Sequence, residues 1–153
     1  MTLKSFDQRL PFHADTNQIS STQQGPRCLM KQRVLVVDDD HLVADTLNLV
    51  FQANGYDSEA VYSAADGLAR ARTFAPALLL CDISMPEQSG LQLAEALHHV
   101  MPECKLLMLT AYASNAIKVE QHISRTRRPL KFLTKPCRPE LLLHEAQTLL
   151  QTA

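Results

Sequence analysis

An excess of charge of either sign is missing from this chain: 15 basic residues face 16 acidic ones, for a formal net charge of −1. A chain balanced in this way is not built mainly to coat nucleic acid or an anionic membrane. Long apolar runs are missing too, and none reaches the roughly 18 residues that a membrane span requires. The first ten residues lack a signal peptide's apolar stretch, being broken by Lys4, Asp7 and Arg9, so no secretory leader is expected. Cysteines are few and scattered. Cys28, Cys81, Cys104 and Cys137 lie 53, 23 and 33 residues apart, with no CxxC pair and no histidine at ligand spacing. That excludes the familiar zinc patterns, makes Cys81 and Cys104 small buried hydrophobes of strands, and points to a reducing cytoplasm. Internal repeats and charged low-complexity tracts are also absent.

What remains is ordinary globular material. The 153 residues, 46% apolar and 20% charged, match one domain. A chain of this size buries about two-thirds of its unfolded surface and needs no metal or disulfide staple. Residues 1–32 stand apart: they are rich in Gln, Ser, Thr and Asn, contain Gly25-Pro26, and show no sustained period. They are expected to be a mostly disordered extension, with one domain over 33–153.

From Arg33 onward apolar runs alternate with helical patterns. Val34–Val37, Ala77–Cys81, Leu106–Leu109 and Leu130–Leu133 read as strands, with a weaker one at Glu59–Tyr62. Val43, Leu47, Val50 and Phe51 recur at helical spacing before Asn54-Gly55; Leu93, Leu97, Val100 and Met101 do so before Pro102, and Leu142, Ala146, Leu149 and Leu150 near the end. Helices over Ala64–Phe74 and Tyr112–Ser124 complete a (βα)5 order. Continuously apolar strands joined by helices predict a doubly wound α/β fold with a parallel sheet covered on both faces. Ligands of such folds bind beyond the carboxyl ends of the strands.

The polar residues at those ends are Asp38-Asp39-Asp40, Asp82, Thr110 and Lys135-Pro136. An N-cap accounts for Asp40 but not for three consecutive acids. At an effective dielectric of 20, two carboxylates ~4 Å apart repel by about 4 kcal/mol, so a cluster including Asp82 needs a cation. A hard, oxygen-preferring ion such as Mg²⁺ fits, and acids, a hydroxyl and a lysine around it suit phosphoryl transfer. Singly each residue is a weak signal. Their order is specific, with 43 residues from Asp39 to Asp82, 28 on to Thr110 and 25 on to Lys135.

With these intervals the sequence resembles the receiver domain of two-component response regulators over about residues 33–151. The resemblance is carried by Val34 through Asp40, Leu80-Cys81-Asp82-Ile83-Ser84-Met85-Pro86 with Gly90 following, Leu109-Thr110-Ala111, and Phe132-Leu133-Thr134-Lys135-Pro136. It implies a flavodoxin-like sheet of order 2-1-3-4-5 and a phosphorelay role in which Asp82 accepts a phosphoryl group from a phosphohistidine. It further implies Mg²⁺, with Mn²⁺ as a substitute, held by Asp38, Asp39, Asp82 and the backbone carbonyl of Ser84. Thr110, Ala111 and Lys135 would bind the phosphoryl group, Thr110 and Phe132 would form the switch, and the bond before Pro136 would be cis. The implied partners are a histidine kinase or histidine phosphotransfer protein, a downstream protein, and a second copy docking through the helix 4–strand 5–helix 5 face. Direct DNA binding, membrane contact and turnover beyond self-phosphorylation and slow self-dephosphorylation are not expected. Because the chain ends one helix after Lys135-Pro136, no output domain is expected.

Three departures from the family pattern stand out: Gln88-Ser89 before Gly90, the long Thr110-to-Lys135 interval, and the segment Ser124-Arg125-Thr126-Arg127-Arg128-Pro129. The six basic residues between Arg125 and Arg138 read as a solvated loop plus one active-site lysine. A rival reading, a Mg²⁺-dependent phosphohydrolase of the haloacid dehalogenase type, uses Asp38-Asp39-Asp40 as its DxD element. It lacks the fourth, acidic motif, since the acids after Lys135, Glu140 and Glu145, both lie on the last helix.

Overall fold

Five parallel strands form one sheet in the order β2-β1-β3-β4-β5, as predicted. The computed structural model describes residues 30–111, 115–127 and 130–152, so most of the expected N-terminal extension, residues 1–29, lies outside the described residues. Strands and helices alternate as β1 (Arg33–Val37), α1 (His41–Ala53), β2 (Asp57–Val61), α2 (Ala64–Phe74) and β3 (Leu78–Asp82). They continue as α3 (Gly90–Val100), β4 (Lys105–Thr110), α4 (Asn115–Thr126), β5 (Lys131–Thr134) and α5 (Pro139–Gln151).

The period of two along a strand divides the core. Val34, Val36, Leu78, Leu80, Leu107 and Leu109 point to one face and pack with Ala44 and Phe51 of α1 and Leu142 and Ala146 of α5. Leu35, Val37, Leu79, Cys81, Leu106 and Met108 point to the other, against α2, α3 and Val119 of α4. Central strands buried on both faces explain why these runs show no polar alternation in the sequence.

Several boundaries differ from the sequence reading. β2 starts at Asp57, two residues early, because Arg33 pairs with Asp57 and Leu35 with Glu59; an edge strand has an open side on which acids stay hydrated. β3 and β4 run on to include Asp82 and Thr110, since the ladder extends to the Asp82–Leu109 and Thr110–Thr134 pairs. Cys104 is buried immediately before β4 rather than within it. Of the predicted fourth helix, residues 112–114 lie outside the described residues, and its far end passes Ser124 to reach Thr126. Arg127 follows in the left-handed region at φ 54°, so the atypical segment begins as helix and leaves it at Arg127; its residues 128–129 lie outside the described residues. Among the described residues no helix is long and apolar enough to cross a membrane.

The buried stripe of α4 is Asn115, Val119 and His122, spaced as one helix face. Burial pulls the His122 imidazole below its ordinary value, the Glu95 charge opposes this, and the Arg125 charge adds to it. The folded state therefore disfavours the imidazolium. The stability contributed is full above the unfolded value of about 6.5 and is lost as pH falls through the lower folded value. In urea titrations at about pH 7.5 and about pH 5.5, the wild-type chain should lose more stability on acidification than His122→Gln. Equal losses would show that protonation of His122 is not linked to folding.

Candidate functional site

β1 and β3 are neighbours whose register pairs Val37 with Cys81, so the next residues, Asp38 and Asp82, come off the sheet side by side. Both continue the α1/α5 face of their strands, as does Lys135 after β5, whereas Thr110 continues the opposite face of β4. The pocket thus sits at the carboxyl edge of the sheet. It lies where β1 and β3 send their crossovers in opposite directions, the switch point at which such sheets bind ligands.

Lys135 Nζ donates to Asp38 Oδ2 at 2.6 Å and to Asp82 Oδ2 at 3.0 Å. Burial pulls the lysine ammonium down, but the hydrogen bonds to Asp38 and Asp82, with their charges, outweigh it and raise it above its ordinary value. The second oxygens are also occupied: Asp40 N–H donates to Asp38 Oδ1 at 3.0 Å and Ser84 N–H to Asp82 Oδ1 at 3.1 Å. Asp39 is exposed, and no donor among the described residues reaches its carboxylate. One oxygen from each of Asp38, Asp39 and Asp82 lies within 4.8 Å of the others. Three carboxylates then face one ammonium and leave an excess of negative charge. All-oxygen donors with that excess fit a hard divalent cation and not a soft one.

Asp40 caps α1, accepting from the amides of Leu42 and Val43, as three consecutive acids before a helix led one to expect for one of them. Thr110, 1% exposed, ends β4 next to Ala111. Ala111 is exposed and lines, with Val43, Leu47, Lys135, Pro136 and Cys137, an open hollow of about 440 Å³ beside the pocket. The Lys135–Pro136 peptide is cis. Phe132 is half-buried on β5, pairs in register with Met108, and packs on the α2–α3–α4 side of the sheet. It shares that side with Thr110, one strand away. The thiol of Cys81, behind Asp82, is pushed well up by burial and then by the Asp82 and Asp38 charges, which keeps it inert.

Two residues of the site carry roles that the sequence reading missed. Gly90 opens α3 directly against the phosphoacceptor candidate: a Cβ there would lie 2.1 Å from the Asp82 carbonyl oxygen. Ser89 and Gln92 form a capping box that fixes this approach. The other residue is Asn115, whose side-chain nitrogen donates to Thr110 Oγ1 and to Ser84 Oγ, each at 2.9 Å. Its signal in the sequence was a polar residue in register with Val119 and His122 on the buried stripe.

Fold and pocket together define a flavodoxin-like α/β module with a lysine-bridged acidic site at the switch point. The chain belongs to the response regulator receiver domain family, whose model matches residues 34–147. Among curated proteins it is 33% identical over 82 residues to the DNA-binding response regulator MtrA of Mycolicibacterium smegmatis, covering 54% of this chain and 36% of that protein. It is 32% identical over 103 residues to the transcriptional regulatory protein ZraR of Salmonella typhimurium, covering 67% of this chain and 23% of that one. The chain therefore spans about a third or less of the curated relatives it matches. A CheY-like receiver domain protein from Methanospirillum hungatei superposes with a TM-score of 0.72 at 30% identity, over 78% of this chain and 94% of that one. The chemotaxis protein CheY4 of Vibrio cholerae gives 0.71 at 26% identity, over 78% and 98%. Receiver domains are signalling modules of two-component systems that bind Mg²⁺ at an acidic pocket and interact with histidine kinases or phosphotransfer proteins. Membership in this family leaves no place for the dehalogenase reading.

Gly90→Ala should destabilise the chain by about 1–3 kcal/mol, because backbone rather than a flexible side chain must yield. It should also shift the amide resonances of residues 82–84. Gly55, at φ +88° with open space where a Cβ would project, serves as the control. Gly55→Ala should cost about 1 kcal/mol through its left-handed backbone alone. Unfolding curves and amide spectra of the two variants check this, and unchanged 82–84 resonances in Gly90→Ala would refute the packing account.

Proposed function

We propose that this domain takes a phosphoryl group from a phosphohistidine of a sensor kinase or histidine phosphotransfer protein onto Asp82. The observation that carries this reading is the Lys135 ammonium shared between Asp38 and Asp82 inside an acidic cluster. An Asp82 oxygen attacks phosphorus as the P–N bond of the donor breaks. The electron pair of that bond stays on the imidazole nitrogen, which takes up a proton from solvent. Lys135 then follows the charge from carboxylate to phosphoryl oxygens, and the Thr110 hydroxyl donates to another, with small Ala111 leaving room. Asp38, Asp39, Asp82 and the Ser84 carbonyl would hold Mg²⁺, or Mn²⁺ in its place, and the bound ion would supply the charge neutralisation that an anionic phosphoryl group needs to approach three carboxylates.

The readout is the face made by α4, β5 and α5. A phosphoryl group adds about −1.5 to −2 charge and three strong acceptor oxygens. Thr110 moving toward it vacates space on the side of the sheet where Phe132 packs, and an aromatic side chain with two positions is an element that a local charge can bias. A downstream protein, or a second copy of the chain, reads that face. The free thiols of Cys81 and Cys137 suit a reducing cytoplasm, where such donors act.

With a small acyl phosphodonor and Mg²⁺, mass mapping should find one phosphoryl group on Asp82, and shifts should extend from the pocket into residues 115–151. Asp82→Asn should take no label and excess chelator should suppress it. Label surviving either condition defeats the mechanism, and shifts confined to the 38–39 and 82–84 loops defeat the readout alone. A further expectation concerns Asp39→Asn. It should weaken Mg²⁺ binding at least about tenfold in NMR titrations while raising the metal-free melting temperature, since one like charge is removed from the cluster. Unchanged Mg²⁺ affinity would remove Asp39 from the ligand set.

A further inference from the structure

We propose that the groove between α3 and α4 is a second anion site, one that holds the phosphate group of a small molecule. It is separate from the acidic pocket and does not depend on the phosphoacceptor reading.

The groove has a volume of about 330 Å³ and takes its walls from Gln92 and Glu95 of α3 and from Lys118, His122 and Arg125 of α4. The three α4 residues fall at i, i+4 and i+7, so one stripe of the helix presents an ammonium, an imidazole and a guanidinium together. Facing them is one carboxylate, that of Glu95, and Arg125 Nη2 already donates to it. The capping box decides what Gln92 contributes. Its oxygen accepts from the Ser89 N–H, so its NH₂ group is what remains for the groove. Among the described residues Lys118 has no ion-pair partner.

His122 turns a basic stripe into a site. The residue is 8% exposed and lines the groove, yet among the described residues nothing hydrogen-bonds its ring. A buried N–H without an acceptor is costly, and a ligand oxygen in the groove supplies one. The donors select the ligand. They come from both walls, so the missing partner is an anion with oxygens on several sides. A phosphate group carries three terminal acceptor oxygens and can take Lys118 and Arg125 as charged donors while accepting from His122 and Gln92. A flat carboxylate, with two oxygens, reaches fewer of them. Glu95 opposes any anion here, so neutralising it must help binding. A ligand held from both walls braces α4 against α3.

The test is a titration of the full chain with inorganic phosphate, without Mg²⁺ and at constant ionic strength, followed by amide shifts. Saturable shifts should centre on residues 91–95 and 118–125. Lys118→Gln and Arg125→Gln, both at exposed positions, should each weaken binding at least about fivefold. Lys131→Gln removes the same charge from a residue paired with Glu145 and should change it less than about twofold. His122→Leu should weaken it about fivefold, and His122→Gln, which keeps a donor, less than about twofold. Glu95→Gln should tighten it about threefold or more, since a like charge leaves and Arg125 is released. Acetate should bind at least about fivefold more weakly than phosphate.

Equal losses for Lys118→Gln and Lys131→Gln would overturn the inference, because net charge and not the groove would then attract phosphate. Shifts that sodium chloride reproduces, or Glu95→Gln without tightening, would overturn it too. Acetate binding as tightly as phosphate would overturn the ligand class. If His122→Leu fails to fold, the variants at Lys118, Arg125 and Glu95 decide the outcome. Shifts confined to residues 82–84 and 135–137 would assign phosphate to the acidic pocket, overturning this inference and leaving the phosphoacceptor reading in place.

Discussion

Strand pairing forces two carboxylates together. Asp38 and Asp82 leave adjacent parallel strands in register, and at this edge of the sheet no side chain can separate them without breaking the ladder. Their repulsion is met by one ammonium, delivered from the far end of the sequence by the short strand β5 and the cis turn after it. Much else at this end answers to that charge. The backbone amides of Asp40 and Ser84 each turn to a carboxylate oxygen, and Asp39, left to solvent, supplies the open acidic position. The described site holds more acidic groups than basic ones, the physical basis on which receiver domains bind Mg²⁺ at an acidic pocket.

The fold was legible because burial on both faces writes itself into composition. Leu78, Leu79 and Leu80 are fully buried in succession, which only a central strand between two helical layers explains. The edges were harder to read. β2 is Asp57-Ser58-Glu59-Ala60-Val61, and its acids resemble a turn until the pairing with Arg33 and Leu35 is known. Boundaries also moved at Asp82 and Thr110, where a polar side chain ends an apolar run and the backbone ladder continues through it. Hydropathy reports side chains, and a ladder is made of amides.

The acidic residues, Thr110 and Lys135 were visible as polar residues placed directly after apolar runs, so topology alone would gather them. Asn115 and Gly90 were not visible in that way. The contribution of Asn115 is a pair of hydrogen bonds to residues 5 and 31 positions away, and no local pattern encodes such partners. The importance of Gly90 lies in a distance to the Asp82 carbonyl that exists only once α3 has docked. In both cases the constraint is tertiary, and the residue type alone is compatible with a cap or a loop.

The two outer strands carry a further consequence. β2 exposes Asp57 and holds Glu59 under the guanidinium of Arg70, while β5 is four residues long and has Lys131 paired with Glu145. An incoming strand from another chain would have to desolvate these charges to reach the free backbone groups, and on β5 it would find few of them. Sheet extension, the route by which parallel sheets aggregate, is thus disfavoured at both ends, and association is left to helices and loops.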